Sequence, residues 1–196
     1  YKEMDGKTAI STKAALWASQ RGILCTISAG NEGSSSWRYI SSPADADSIL
    51  SIGAVDRTGT RASFSSIGPT FDNRIKPEIA AMGLGTITAK TDGMITAVSG
   101  TSFSAPLIAG LAAGLIQAHP TKSAWEIMKA IRMSGTLAIN PNVNLGYGIP
   151  NFDRASKIIN PILGNEPEEN KSIQIFPNPV MIGQGLRIIH QKKSPV

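Results

Sequence analysis

The sequence contains very little cysteine and histidine. Cys25 is the single cysteine among 196 residues, so no internal disulfide can form, and no spacing typical of a zinc site is present. Cys25 lies in an apolar run, where we expect a buried thiol with a packing role. The two histidines, His119 and His190, leave few candidates for a general base, a task that histidine performs most often.

Long apolar runs and blocks of one charge are also lacking. The longest apolar run, residues 105–116, falls short of the roughly 20 residues that span a bilayer, so we predict no transmembrane segment. Basic residues are not interleaved with aromatic ones, which disfavours nucleic-acid binding. Hydrophobic residues at 41% and charged residues at 17% are typical of a globular domain with a sizeable core.

Helical and strand-like segments alternate along residues 1–159. Apolar spacing predicts a helix over residues 7–20, which ends at Gly22 and has an inward face of Ile10, Ala14, Trp17 and Ala18. Apolar runs predict further strands and helices, a Thr-Asp-Gly turn predicts a hairpin, and a capping box predicts a late helix. These elements are the strands 23–29 and 49–55, the hairpin strands 84–90 and 94–98, the helix 102–118, and a helix after Ser123 with Ile127, Ala130 and Ile131 inward. The alternation predicts an α/β sandwich with a mostly parallel sheet.

Ser102 lies where the predicted strand 94–98 meets the predicted helix 102–118. A hydroxyl at such a position lies beside unsatisfied backbone N–H groups and the positive end of the helix dipole. Both favour the negative charge that develops when a serine attacks a carbonyl. A serine at a helix start is most often just an N-cap, so the rest of the chain has to decide between the two roles.

Five blocks, in the right order, resemble the subtilisin-like serine proteases (the subtilases, peptidase family S8). Gly-Thr-Ser-Phe-Ser-Ala-Pro at 100–106 resembles the nucleophile motif and Ser-Ala-Gly-Asn-Glu-Gly at 28–33 the oxyanion-asparagine motif; the supporting blocks are 64–69, 74–78 and 145–151. The resemblance covers residues 1–159 and implies a three-layer α/β/α sandwich whose N-terminal part is missing here. Leu107 and Met82 stand where the family usually has histidine and proline, and we expect altered packing there.

The resemblance also implies roles for individual residues. Ser102 would be the nucleophile, and the oxyanion would be bound by the Asn31 side-chain amide and the Ser102 backbone N–H. The predicted substrate-binding residues are Ser28, Ala29, Gly30, Gly33 and Thr101. Catalysis would need no cofactor. Asp45, Asp47 and Asp56 could contribute to a structural calcium site, although loop carboxylates without a metal role are favoured, and the Ser42–Pro43 peptide is expected to be cis.

The general base is missing from this arrangement. His119 ends the helix that Ser102 begins, about 25 Å away at 1.5 Å per residue, and His190 lies beyond a linker. The family has its catalytic Asp and His upstream of the oxyanion asparagine. We therefore expect this chain to be the C-terminal portion of a catalytic domain, inactive alone, from a serine endopeptidase that acts on proteins or peptides.

The last residues differ in character. Residues 160–172, with several prolines and glutamates, predict a linker. Residues 173–196 resemble the start of the C-terminal sorting domain of bacterial type IX secretion; an unrelated β-hairpin or tail is the alternative. The resemblance implies a secreted or cell-surface protein that contacts the bacterial secretion machinery.

Two other enzyme classes fit the sequence poorly, and one non-catalytic function fits it. An α/β-hydrolase elbow needs Gly-x-Ser-x-Gly, but Ser104 occupies the final position. A dinucleotide-binding loop beginning at Gly83 meets Thr88 where its third glycine belongs. A non-catalytic subtilase-like module that binds peptides or supports secretion stays open.

Overall fold

The computed structural model describes residues 1–161 of the chain. The predicted segment 173–196, with His190, and most of the predicted linker lie outside these residues. The described elements, in chain order, are α1 (Ile10–Gln20), β1 (Thr26–Ser28), β2 (Leu50–Val55), β3 (Ile79–Met82), β4 (Thr86–Ala89), β5 (Ile95–Val98), α2 (Thr101–Ala118), α3 (Ala124–Met133) and α4 (Phe152–Ile159).

A parallel three-stranded sheet forms the centre of the fold. Its order is β1-β2-β3, with Ile27 opposite Ser51 and Gly53 opposite Ala80. Every residue of β2 is buried, as expected for a strand with neighbours on both sides and helices on both faces. Strands β4 and β5 pair antiparallel as the predicted hairpin, outside this sheet.

Helices cover both faces of the sheet. On one face, α2, α3 and α4 pack against β2 and β3 through a core that includes Ile52, Ile79, Leu115 and Ile131. On the other face, α1 packs through Ala15 against a smaller cluster with Ala46 and Ile49. The layered α/β architecture with a parallel sheet is therefore confirmed.

The helix α3 follows its sequence signals closely. Ser123 accepts a hydrogen bond from the Glu126 N–H, and the Glu126 carboxylate accepts one from the Ser123 N–H. The hydrogen bonds that the Glu126 carboxylate accepts from Ser123 lower its pKa, the bond from the Ser123 backbone N–H most of all. The predicted inward residues Ile127, Ala130 and Ile131 are buried.

The predicted inward face of α1 is wrong. The helix begins at Ile10 rather than at residue 7, and Ile10 and Trp17 are 87% and 62% exposed. Thr12 and Ala15 are buried in their place. The Thr12 hydroxyl donates to the buried Asp45 carboxylate at 2.6 Å, and this polar contact turns a different face of the helix inward.

Two further expectations differ from the structure, two elements were not predicted, and one expectation is confirmed. Strand β1 is only three residues long, and Cys25 is half-buried rather than buried; burial still raises the pKa of its thiol. Strand β3 and helix α4 were not predicted, because the first is short and alanine-rich and the second has only eight residues. The Ser42–Pro43 peptide is cis, as expected.

Helix α2 is the one helix, within the described residues, that is long and apolar enough to cross a membrane by length and composition. Ile108, Ala112 and Leu115 on this helix are buried in the core against the sheet. The composition of α2 is that of a core helix as much as of a membrane span, so it adds little support for a membrane location.

We predict that Ser123→Ala destabilises the protein by about 1 kcal/mol, because the first turn of α3 loses the acceptor for the Glu126 N–H. Urea unfolding of the full-length protein measures the change. Ser36→Ala, at an exposed loop serine, is the matched control and should change stability by less than about 0.5 kcal/mol. Equal effects of the two substitutions would contradict the capping role.

Candidate active site

Asn31 and Ser102 are brought together by the end of β1 and the start of α2. Helix α2 packs across β1, and the chain leaves β1 at Ser28, three residues before Asn31. The Asn31 Oδ1 accepts a hydrogen bond from the Thr101 N–H and another from the Thr101 hydroxyl, both at 2.9 Å. Asn31 therefore caps the helix from a different part of the chain, since Gly100 at the N-cap has no side chain to do so.

These two hydrogen bonds fix the orientation of the Asn31 amide. Both Thr101 groups that approach it donate, so the atom that faces them has to be the oxygen. The Nδ2 group is then directed away from Thr101, toward the outer side of the Gly100–Ser102 turn, where a Cβ built on Gly100 would lie 3.6 Å from it. Asn31 itself is exposed, so this donor can reach a ligand.

Ser102 offers a second donor at the same place. In the first turn of α2, the Thr101 N–H is bonded to Asn31 and the Phe103 N–H to the Gly100 carbonyl. The Ser102 N–H has no such partner among the described residues, and the Ser102 side chain is exposed. The Ser102 N–H and hydroxyl thus lie at the positive end of an 18-residue helix, and Asn31 is bonded to the residue before Ser102.

Close packing at Gly83 and Gly100 fixes the position of the first turn of α2. Gly100 has φ +153° and donates its N–H to the Gly83 carbonyl at 2.7 Å, which fixes the start of α2 at the end of β3. A side chain at Gly83 would overlap Ser104 and Ala54. Ser104 is fully buried beneath the first turn. The role of Gly83 as a packing position was missed, because a glycine after a short strand has no distinctive pattern.

The five predicted substrate-binding positions lie around Asn31. Ala29 and Thr101 have side chains that are 0% and 1% exposed, so a peptide cannot reach them directly. The Gly30 N–H faces the Thr101 hydroxyl at 3.3 Å, its carbonyl accepts from Ser66, and the Gly33 N–H donates to Phe64. Ser28 ends β1 and is half-buried. These residues hold the Asn31 turn in place, and a contact with peptide at Ser28, Gly30 or Gly33 stays a prediction.

Ser66 also supports the site but was not singled out from the sequence. Its hydroxyl accepts from the Glu32 N–H at 3.0 Å and lies beside Gly30, where a Cβ would come within 2.9 Å of it. The φ of Gly30 is +108°, a conformation that favours glycine. Ser66 lies in the Phe-Ser-Ser-Ile-Gly-Pro block noted in the sequence. Its contact with Gly30 joins residues that are 36 positions apart, so no local pattern predicts it.

No general base lies near Ser102 among residues 1–161. His119 is buried at the other end of α2, where Nε2 lies 2.8 Å from the Ser156 hydroxyl and Nδ1 3.3 Å from the Asn160 amide. It connects α2 to α4. The described residues contain a candidate nucleophile and two oxyanion donors, but not the group that would take the proton.

Comparisons with known proteins agree with the fold. Residues 2–150 match the model of the Subtilase family. Subtilisin DY of Bacillus licheniformis is 33% identical over 153 residues, which are 78% of this chain and 53% of that protein. The thermostable alkaline protease of Halalkalibacterium halodurans is 32% identical over 140 residues, 71% of this chain and 36% of that protein.

Solved structures show the same likeness. The self-cleaved protease domain of PatA superimposes with a TM-score of 0.65 at 25% identity, over 79% of this chain and 57% of that one. The prenylagaramide maturation protease PagA gives the same TM-score at 24% identity, which supports the fold alone. The fold and the relatives indicate a serine peptidase. The chain belongs to the subtilase family, and it spans about a third to a half of the length of the curated relatives that it matches.

We predict that Thr101→Val frees the Asn31 amide, because the isosteric valine removes the hydroxyl that donates to Oδ1. The side-chain ¹⁵N order parameter of Asn31, measured by NMR relaxation, should fall in this variant. Thr101→Ser keeps the hydroxyl and is the control, with an order parameter close to that of the parent. An unchanged value in Thr101→Val would show that the backbone N–H of residue 101 suffices to hold Asn31.

Proposed function

We propose that this chain is the part of a secreted serine endopeptidase that carries the nucleophile and the oxyanion hole. The observation that carries the proposal is the pair of hydrogen bonds that holds Asn31 Oδ1 against Thr101, the residue before the exposed Ser102, and leaves Nδ2 as a donor. Membership of the subtilase family supports the same assignment.

In the proposed reaction, the Ser102 Oγ attacks the carbonyl carbon of a peptide bond and its proton passes to a histidine. The carbonyl oxygen becomes an oxyanion, which the Asn31 Nδ2 and the Ser102 N–H stabilise by hydrogen bonds. The histidine then protonates the leaving amine, and water hydrolyses the acyl-enzyme by the same route in reverse. The dipole of α2 favours each anionic state.

The histidine and the aspartate that orients it are proposed to come from residues upstream of Tyr1. His119 is excluded by its place at the far end of α2 and by its bond to Ser156. The matched relatives are longer than the part that this chain covers, which leaves room for such residues. We expect the 196-residue chain alone to have negligible proteolytic activity.

The setting of the enzyme is part of the proposal. Secretion or display at the cell surface, and contact of residues 173–196 with bacterial secretion machinery, are inferred from sequence resemblance alone. A non-catalytic peptide-binding module is the other candidate. It would need neither an exposed nucleophile nor a fixed amide donor, and both are present, so the protease is favoured.

We predict that a fluorophosphonate probe labels the full-length protein, in which the upstream histidine is present, at Ser102. Ser102→Ala should abolish labelling, and Ser99→Ala, three residues earlier and also exposed, should retain it. In-gel fluorescence measures the outcome. Absence of labelling in a folded full-length protein would favour the peptide-binding module.

We predict that Asn31→Ala lowers kcat of the full-length enzyme by about 100- to 1000-fold with little change in KM, because the donor acts in the transition state. The magnitude is the one known for the oxyanion asparagine of subtilisin itself. Asn144→Ala, at an exposed asparagine in the late turn, is the control and should leave kcat unchanged. A loss confined to KM would contradict the oxyanion role.

A further inference from the structure

The loop that leads into β2 contacts three cationic side chains, of which Lys76 is buried and Arg74 and Arg132 are partly exposed. Three carbonyl groups of this loop each accept a hydrogen bond from a different cationic side chain. The pairs are the Asp45 carbonyl with Arg74, the Ala46 carbonyl with Lys76, and the Ile49 carbonyl with Arg132. Backbone carbonyls are also among the oxygen ligands that proteins use to bind metal ions such as Ca²⁺.

Lys76 is the most deeply buried of the three. The residue is 1% exposed, and its Nζ lies 2.7 Å from the Ala46 carbonyl and 3.1 Å from the Glu78 Oε1. Burial lowers the pKa of the ammonium, while the charge and the hydrogen bond of Glu78 oppose that shift. An ammonium held by one carbonyl and one carboxylate is bound much as a small cation would be.

Glu78 is shared between two cations. Its Oε1 also pairs with the Arg132 Nη2 at 2.5 Å, and its Oε2 accepts from the Ser51 N–H in β2 at 3.2 Å. One buried carboxylate cannot neutralise both Lys76 and Arg132, so the Ala46 and Ile49 carbonyl dipoles supply the remaining negative potential. The loop backbone thus takes part in compensating these charges.

Donors outnumber acceptors at this place. Arg74 donates to the Asp45 carbonyl at 2.7 Å and to the Asp72 carboxylate at 2.7 Å, yet its Nη2 is buried without a partner among the described residues. The Arg132 Nε is likewise buried without a hydrogen-bond partner among the described residues. The Asp45, Ala46 and Ile49 carbonyls and the Glu78 carboxylate are already bonded to these three cations, and the surplus of buried N–H donors disfavours a further positive charge.

Two of the carboxylates named above as possible calcium ligands already have hydrogen-bond partners. The Asp45 carboxylate accepts from the Gly6 N–H and the Thr12 hydroxyl, and the Asp56 carboxylate accepts from residues of its own turn, including Thr58. Within residues 1–161, no group of three or more metal-ligating side chains is found. The contacts of Asp45 and Asp56 therefore give no support to a calcium site that combines them with Asp47.

We propose that the Lys76 ammonium, flanked by Arg74 and Arg132, takes the structural place of a bound cation and holds residues 44–49 without any metal ion. The loop matters for the candidate active site because it starts at Ser41, whose N–H donates to the Ala29 carbonyl beside Gly30. The inference rests on the buried contacts and is independent of the proposed catalytic activity.

The test removes the Lys76 ammonium by substitution and then measures whether a small cation from solution stabilises the variant. Lys76→Ala opens space beside the Ala46 carbonyl and Glu78, whereas Lys76→Met fills that space with an apolar chain. Thermal unfolding of the full-length protein is followed in ammonium, sodium or calcium chloride, and in tetramethylammonium chloride at equal ionic strength. Lys122→Ala, which removes the exposed partner of Glu126, is the control.

We predict that Tm of Lys76→Ala falls by roughly 10 °C in tetramethylammonium chloride, because Glu78 and the Ala46 carbonyl lose their partner. A small cation should restore at least half of that loss in Lys76→Ala and none in Lys76→Met. The parent and Lys122→Ala should not respond to cation identity to this extent. A folded Lys76→Ala that keeps the parent's Tm, or that shows no cation-specific recovery, overturns the proposal.

A second measurement uses the parent protein and does not depend on a variant folding. Hydrogen exchange of the bonded amides of Ala44, Ala46 and Leu50 is compared with and without EDTA. Unchanged protection supports the proposal. Loss of protection confined to these amides shows that a metal ion holds the loop and overturns it. Neither readout involves catalysis, so failure here is distinct from failure of the protease assignment.

Discussion

The contact between the Asn31 carbonyl oxygen and Thr101 is the interaction on which the rest of the site depends. It joins the end of β1 to the start of α2 across 70 residues of sequence, and it satisfies an N–H group that the helix would otherwise leave without a partner. The same contact determines which end of the amide faces outward. One interaction therefore stabilises the helix start and creates a donor for an anion, so structural and chemical demands coincide at Asn31.

The sequence was most informative where the signal is local. The hairpin 86–98, the capping box at Ser123 and the helix that begins at Thr101 follow from residues within a few positions of one another. Ser102 and Asn31 were predicted as site residues through motifs of the same kind. The inward face of α1 was not, because Thr12 reaches an aspartate 33 residues away and such a contact leaves no periodic pattern. The buried position of Lys76 is hidden for the same reason.

Buried charge makes the packing of this fold specific. The Glu78 carboxylate contacts Lys76 from its own segment, Arg132 from α3 and the Ser51 N–H from β2. Each partner alone would be costly to bury, and the cost falls when all are in place. The geometry can form only if β2, β3 and α3 assemble in their native register. The cluster thus distinguishes the native arrangement from other compact arrangements more sharply than apolar contacts would.

Helix α2 is fixed at both ends, by Asn31 and Gly83 at its start and by the contacts of His119 with Ser156 and Asn160 at its end. An 18-residue helix is about 27 Å long, so it acts as a lever: a tilt of one degree about the His119 end would displace Ser102 by about 0.5 Å. Displacements of that size are already at the tolerance of catalytic geometry. His119, which is too far from Ser102 to act as its base, thus helps to determine how precisely Ser102 is positioned.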